Sequence, residues 1–276
     1  MDITARFVEI EYSQRIINIW MRQTGKGDPI ILIHGWGHSG DIWTQIGEKL
    51  SSNHSLIMFD LPGFGNSPPV SPDLISIAHY SDIIGLAMQN VLVKEVPFTI
   101  IGDSLGALIV LSLLANKAIS SKRIILSGCP TEGLPIALRI LRLRGLVSTA
   151  LYSLQRLPNQ VSHRLIRLLS RYTFKNTKHI DSSIINGALS VDPKTAEMLF
   201  RHLCQLKKIR NRIPVQKTGI TTVIVRGEGD RVVSKESSIR LAKDVGATFF
   251  EIPDAGHTPM LENVDSYIKS ITNIIT

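Results

Sequence analysis

Five short apolar runs, each closed by glycine or aspartate, constrain this chain more than anything else in it. They are PIILIHG (Pro29–Gly35), SLIMFD (Ser55–Asp60), PFTIIG (Pro97–Gly102), KRIILSG (Lys122–Gly128) and ITTVIVRG (Ile220–Gly227). A short apolar run with no polar alternation can be buried on both faces, as the strands of a parallel sheet are. ATFFEIP (Ala247–Pro253) is a further strand of this kind, and the alternating residues 6–11 and 15–21 predict a β-hairpin ahead of them. Helical patterns fall between the runs, over Ser39–Leu50, Ile75–Val91, Ser104–Asn116, Lys235–Lys243 and Leu261–Ile275. Strands alternating with helices predict an α/β fold: a mostly parallel, eight-stranded sheet with helices on both faces.

The alternation breaks once. From Thr131 to Arg212 the spacing of Leu and Ile is helical throughout, so an all-helical insertion, residues 131–212, is expected between two parts of one core, 1–130 and 213–276. Charge breaks at the same place. The insertion holds 15 Lys and Arg against 4 Asp and Glu, while the rest of the chain holds 16 against 19, so the insertion carries all of the net charge of +8. Such a surface suits an acidic partner or an anionic surface, although a solvated Arg-rich helix face reads the same way. The basic stretch lacks interleaved aromatics, which argues against nucleic acid. The apolar run Leu105–Ala115 is too short to span a bilayer. The first residues show no continuous apolar core, so no secretory leader is expected. Cys129 and Cys204 make neither a disulfide framework nor a metal site, and a reducing cytoplasm is the simplest reading.

Between a strand run and a helix run stands Gly102-Asp103-Ser104-Leu105-Gly106, a G-x-S-x-G pattern. Small flanking residues suit a sharp strand-to-helix turn that exposes the serine hydroxyl at a helix N-terminus, where developing negative charge is favoured. A serine that merely caps a helix is the plainer reading. A serine needs a base. His54, His79, His163, His179 and His202 have no companion motif, whereas His257, in PDAGHTPMLE, follows the last strand and would share the carboxyl edge of the sheet with Ser104. Asp230, in VRGEGDRVV, would orient that base, with Glu228, Glu132 and Asp254 as competitors. For the oxyanion, the expected backbone donors are Leu105, just after the serine, and Trp36, in the glycine-rich HGWGHSG. His34 and His38 are spaced like metal ligands but have no third ligand, so no metal is expected. Asp103 is expected to face solvent near the pocket mouth, because a carboxylate at the oxyanion would oppose the charge forming there.

With these residues placed, HGWGHSG, DLPGFGNS, GDSLGA, VRGEGDRVV and AGHTPMLE stand in the order found in the α/β-hydrolase superfamily, and the chain resembles its cofactor-free, capped esterase and C–C hydrolase branch. The resemblance implies that the insertion is a lid over the pocket and that no cofactor is used. A serine at 104 departs from the dehalogenase and epoxide hydrolase branches, which place aspartate there. HGWG, G-x-SLG and a short helical lid resemble the methyl ester esterases of pimeloyl-acyl-carrier protein in biotin synthesis. That likeness implies an acidic carrier protein docking on lid arginines, here Arg139, Arg142, Arg164, Arg167 and Arg171, the last three spaced as one helix face. Asp103 departs from the bulky aromatic residue common in that family. Ester hydrolysis, C–C hydrolysis of a vinylogous diketone and a non-catalytic binding role remain open on the residues alone.

Overall fold

The computed structural model describes residues 2–92, 96–116, 121–135, 138, 143, 145–206 and 220–275. Two long alternating segments open the chain: β1 (Ile3–Tyr12) and β2 (Arg15–Thr24) pair antiparallel in a hairpin. The apolar runs then give β3 (Asp28–Ile33), β4 (His54–Phe59), β5 (Thr99–Asp103), β6 (Arg123–Ser127), β7 (Thr221–Gly227) and β8 (Thr248–Ile252). All eight strands form one sheet in the order β1-β2-β4-β3-β5-β6-β7-β8. β2 meets β4 antiparallel, and every pair from β4 onward is parallel.

The period of two along each strand sorts its apolar side chains between two cores. Ile31, Ile33, Ile100, Ile124 and Leu126 face one side, with α2 (Ile77–Val91), α3 (Leu105–Ala115) and α8 (Lys235–Val245) packed there. Ile30, Leu32, Ile101, Ile125 and Val223 face the other, covered by α1 (Thr44–Leu50) and α10 (Val264–Ile275). Burial on both faces explains why these strands carry almost no polar alternation. The expected final helix is broken in two: α9 (Pro259–Glu262) precedes α10, because Asn263 leaves helical geometry (φ −145°, ψ 71°) and its Oδ1 accepts from Ser266 N–H at 3.3 Å.

Between β6 and β7 lie α4 (Leu146–Arg156), α5 (Asn159–Leu169), α6 (Ser182–Leu189) and α7 (Pro193–Cys204), with no strand among the described residues of that stretch. Local capping starts them: Asp181 and Asp192 cap α6 and α7, and the Glu197 carboxylate accepts from the backbone N–H groups of Gly145 and Ser148 at the start of α4. Cys129 is buried and Cys204 half-buried, and no disulfide joins them. Among the described residues no helix is long and apolar enough to cross a membrane.

Candidate active site

The site is built at the carboxyl edge of the parallel strands. β5 ends at Asp103 and α3 begins at Leu105, leaving Ser104 alone to turn the chain. Its backbone takes φ 51°, ψ −108°, a strained conformation for a residue with a side chain. The turn is held by Ser104 N–H donating to the Ser127 carbonyl at 2.8 Å. It also needs its glycines. A Cβ on Gly106 would stand 2.3 Å from the Ile33 carbonyl oxygen, and one on Gly102 would stand 2.7 Å from the Ala107 nitrogen.

The loops after β7 and β8 bring two residues to this serine. His257 Nε2 lies 2.9 Å from Ser104 Oγ, and His257 Nδ1 lies 2.9 Å from Asp230 Oδ2. The second Asp230 oxygen accepts the N–H groups of Val232 at 2.7 Å and Val233 at 3.0 Å. These bonds fix the tautomer: Nδ1 carries the proton and donates to Asp230, so Nε2 is free to accept from the serine hydroxyl. Burial alone pulls the imidazole pKa down, but the charge of Asp230 and its hydrogen bond outweigh that and raise it above the ordinary histidine value. For Asp230 burial pushes upward, and the His257 charge, the His257 hydrogen bond and the two backbone donors bring it below the usual carboxylate range.

The competing acids are engaged elsewhere. Glu228 and Asp254 both pair with the Lys175 ammonium at 3.0 Å on the surface, and Glu132 pairs with Arg240 at 3.1 Å. Leu105 N–H opens α3, a position with no acceptor inside its own helix. Trp36 sits in the loop after β3. Its indole donates to the Ala196 carbonyl of α7 at 2.9 Å and its ring packs on Phe200. His34 is fully buried and structural: its Nε2 accepts from Leu61 N–H at 2.9 Å, so its Nδ1–H donates to the Gly35 carbonyl at 2.8 Å. His38 is half-buried, its Nδ1 has no hydrogen-bond partner among the described residues, and burial beside the imidazoles of His34 and His257 lowers its pKa to about 3. Among the described residues no three His, Cys, Asp or Glu side chains are grouped as metal ligands.

Two expectations change. Asp103 does not face solvent: it is fully buried, and among the described residues neither carboxyl oxygen has a hydrogen-bond partner. The cause is the sheet, since β6 pairs with β5 as far as Asp103↔Ser127 and keeps the side chain inside. Burial raises its pKa to about 7, against the pull of His257 and with the push of Asp230. The second change concerns the arginines. α5 ends at Leu169, so Arg171 lies in the turn beyond the helix that carries Arg164 and Arg167. Arg164, Arg167 and Arg171 are all exposed, and Arg167 Nη2 also donates to the Ile180 carbonyl at 3.1 Å. Arg139 and Arg142 lie outside the described residues.

One contributor escaped the sequence reading. Glu262 is buried in α9, and its carboxylate accepts the backbone N–H groups of Gly256, Lys175 and Asn176. It stands five positions after His257 inside AGHTPMLE, so the signal was an acid closing the apolar run Pro259–Leu261.

A sheet of this order, with a strained serine after β5 and an acid and a histidine after β7 and β8, defines the α/β-hydrolase class. The chain belongs to the alpha/beta hydrolase fold family, which matches it over residues 28–264. A pimeloyl-[acyl-carrier protein] methyl ester esterase of Aeromonas salmonicida (strain A449) is 35% identical to it over 101 residues, a match that spans 37% of this chain and 37% of that relative. Among solved structures, a thermophilic esterase from Thermogutta terrifontis superposes with a TM-score of 0.78 at 19% identity, covering 97% of both chains. A bromoperoxidase from Bacillus anthracis superposes with a TM-score of 0.80 at 16% identity, covering 97% of this chain and 99% of its own. At those identities the likeness is one of fold.

Proposed function

We propose that this chain is a carboxylic ester hydrolase that works through Ser104, His257 and Asp230. The observation that carries the reading is the unbroken hydrogen-bonded line from Asp230 through His257 to Ser104, both links at 2.9 Å, ending on a serine in a strained turn. His257 Nε2 takes the hydroxyl proton as Ser104 Oγ attacks the ester carbonyl. Asp230 stabilises the imidazolium that forms. The N–H groups of Leu105 and Trp36 receive the oxyanion, and the start of α3 adds a favourable field. His257 then returns the proton to the departing alcohol, and water, activated by the same imidazole, releases the acid from Ser104. No step calls for a cofactor.

Ser104→Ala tests the site. Turnover of short p-nitrophenyl esters falls at least ~10³-fold, and a fluorophosphonate no longer labels the protein. Wild-type turnover in that variant, or no labelling of the native chain, sinks the assignment. Activity on vinylogous diketones with none on esters would redirect it to C–C hydrolysis.

The insertion serves in this reading as a lid, and the ester is the methyl ester of an acyl chain borne on an acidic carrier protein. Two observations support it: the stretch similar to the pimeloyl-[acyl-carrier protein] methyl ester esterase, and the exposed cations Arg164 and Arg171 on an insertion with a net positive charge. Reversing both to Glu is expected to weaken hydrolysis of the carrier-borne ester ~10-fold or more at low salt and to spare small esters. Equal effects on both substrates would remove the carrier protein from the proposal.

A further inference from the structure

Glu262 is 6% exposed and ends the short helix α9. Its Oε1 accepts from Gly256 N–H at 2.8 Å. Its Oε2 accepts from Lys175 N–H at 2.7 Å and Asn176 N–H at 2.9 Å. Gly256 is the residue immediately before His257. Lys175 and Asn176 belong to the insertion, in the connection between α5 and α6. One carboxylate therefore joins two segments that are far apart in sequence, and a second bond runs beside it: His257 N–H donates to the Thr173 carbonyl at 2.6 Å. The backbones approach closely at this seam, since a Cβ on Gly256 would stand 2.4 Å from the Thr173 oxygen.

We propose that Glu262 is a positioning residue for His257, clamping insertion segment 173–176 to the base's own loop so that the imidazole keeps its aim at Ser104. The inference rests on the Ser104–His257–Asp230 reading above. A buried carboxylate needs partners, and three charge-assisted backbone bonds are a set that no neutral side chain reproduces. Glutamine matches the shape but offers one oxygen and one amide; whichever way it turns, an N–H₂ group meets an N–H donor and one arm of the clamp opens. On the surface Lys175 Nζ also reaches Asp254 in the His257 loop and Glu228 in the loop after β7, but these ties are solvent-exposed and weaker. The Glu262 charge acts in the same direction as its geometry. His257 is faced by Asp230, Asp103 and Glu262, each of which favours its imidazolium. His38 also lies near enough to interact with it.

The test is the rate of Ser104 phosphonylation by a fluorophosphonate, with the inactivation rate constant and probe affinity resolved separately across the neutral pH range. It compares the full chain with E262Q and E262D, near-UV circular dichroism reporting the fold. In E262Q the rate constant is expected to fall on the order of 10- to 100-fold, as misaimed reacting groups do, with probe affinity held within about twofold. The pH midpoint of the rate moves down. E262D restores the midpoint, because it keeps the charge, but restores the rate only in part, because it is shorter. A folded E262Q with wild-type rate constant and midpoint overturns the inference and leaves Glu262 a purely structural residue. Should E262Q not fold, a wild-type rate constant in E262D overturns it. Failure of the native chain to label at Ser104 is a different result, and it overturns the triad reading beneath.

Discussion

The turn around Ser104 and the helices of the insertion solve opposite problems. In α3 eight of eleven residues are buried, and the helix is apolar all round because sheet and α2 enclose it. In α5 only Ser162 and Ile166 are buried, while Val161, Leu165, Leu168 and Leu169 are exposed along one side of the helix. The turn has no freedom: its neighbours are backbone atoms, and each small residue answers to one of them. On its inner side the insertion packs into both cores, through Ala196, Leu199, Phe200 and Leu203 in one and Ile166, Phe174, Ile180, Ile184 and Ile185 in the other, and it is tied there by Trp36 on Ala196, Asp192 N–H on the Gly63 carbonyl at 2.8 Å, and the Glu262 clamp. Sequence change should therefore act on stability at the turn, and on partners or substrate along the exposed outer face of α5.

The sharpest way to break that contrast is Gly106→Ala. With the new methyl driven into the Ile33 carbonyl, the chain is expected to lose at least ~3 kcal/mol or fail to fold, as overpacked sites against rigid neighbours do. A denaturation midpoint near wild type would show that the turn yields.

A smaller and opposite effect comes from Asp103→Asn. Folding keeps this carboxyl protonated up to about pH 7, whereas an unfolded aspartate ionises at about pH 4. An acid whose pKa is raised by folding destabilises the fold progressively as pH climbs between those values, and fully above the higher one. Asparagine, shaped like the neutral acid, removes the penalty. The variant is expected to be more stable than wild type by ~2–4 kcal/mol at alkaline pH, with the gain shrinking to nothing at about pH 4. Urea unfolding at the two pH values checks the sign; a gain independent of pH would mean the carboxyl has found a partner.

The smallest expected effect is Leu168→Ser on α5. This leucine is 54% exposed, so stability should change by no more than ~0.5 kcal/mol. A loss of several kcal/mol in thermal unfolding would place the α5 face in a core and erase the distinction between the regions.

Much of this was legible from residues alone. The apolar runs became strands with ends displaced by one or two positions, because fully buried parallel strands need no polar residues and the pattern is hard to imitate. Ser104, Asp230 and His257 were legible because each follows a strand, and parallel strands deliver their carboxyl ends to one edge. Asp103 was misread because local sequence shows a charged residue beside glycine, which resembles a surface turn. Nothing local reports that β6 continues to pair as far as Ser127. The arginine stripe was misread because helical spacing was extended past Leu169, where the chain tightens into a 3-10 turn.

By itself the sequence determined the alternation of elements, the helical character of the stretch between β6 and β7, the uneven charge and the glycines that a strained turn requires, since period, composition and residue size are local properties. Only the tertiary structure decided that residues 104, 230 and 257 stand within hydrogen-bond reach, that Asp103 is sealed away from solvent, and that Glu262 ties the insertion to the histidine loop. Those facts depend on which strands pair and how closely backbones from distant segments approach, and no window along the chain contains both partners.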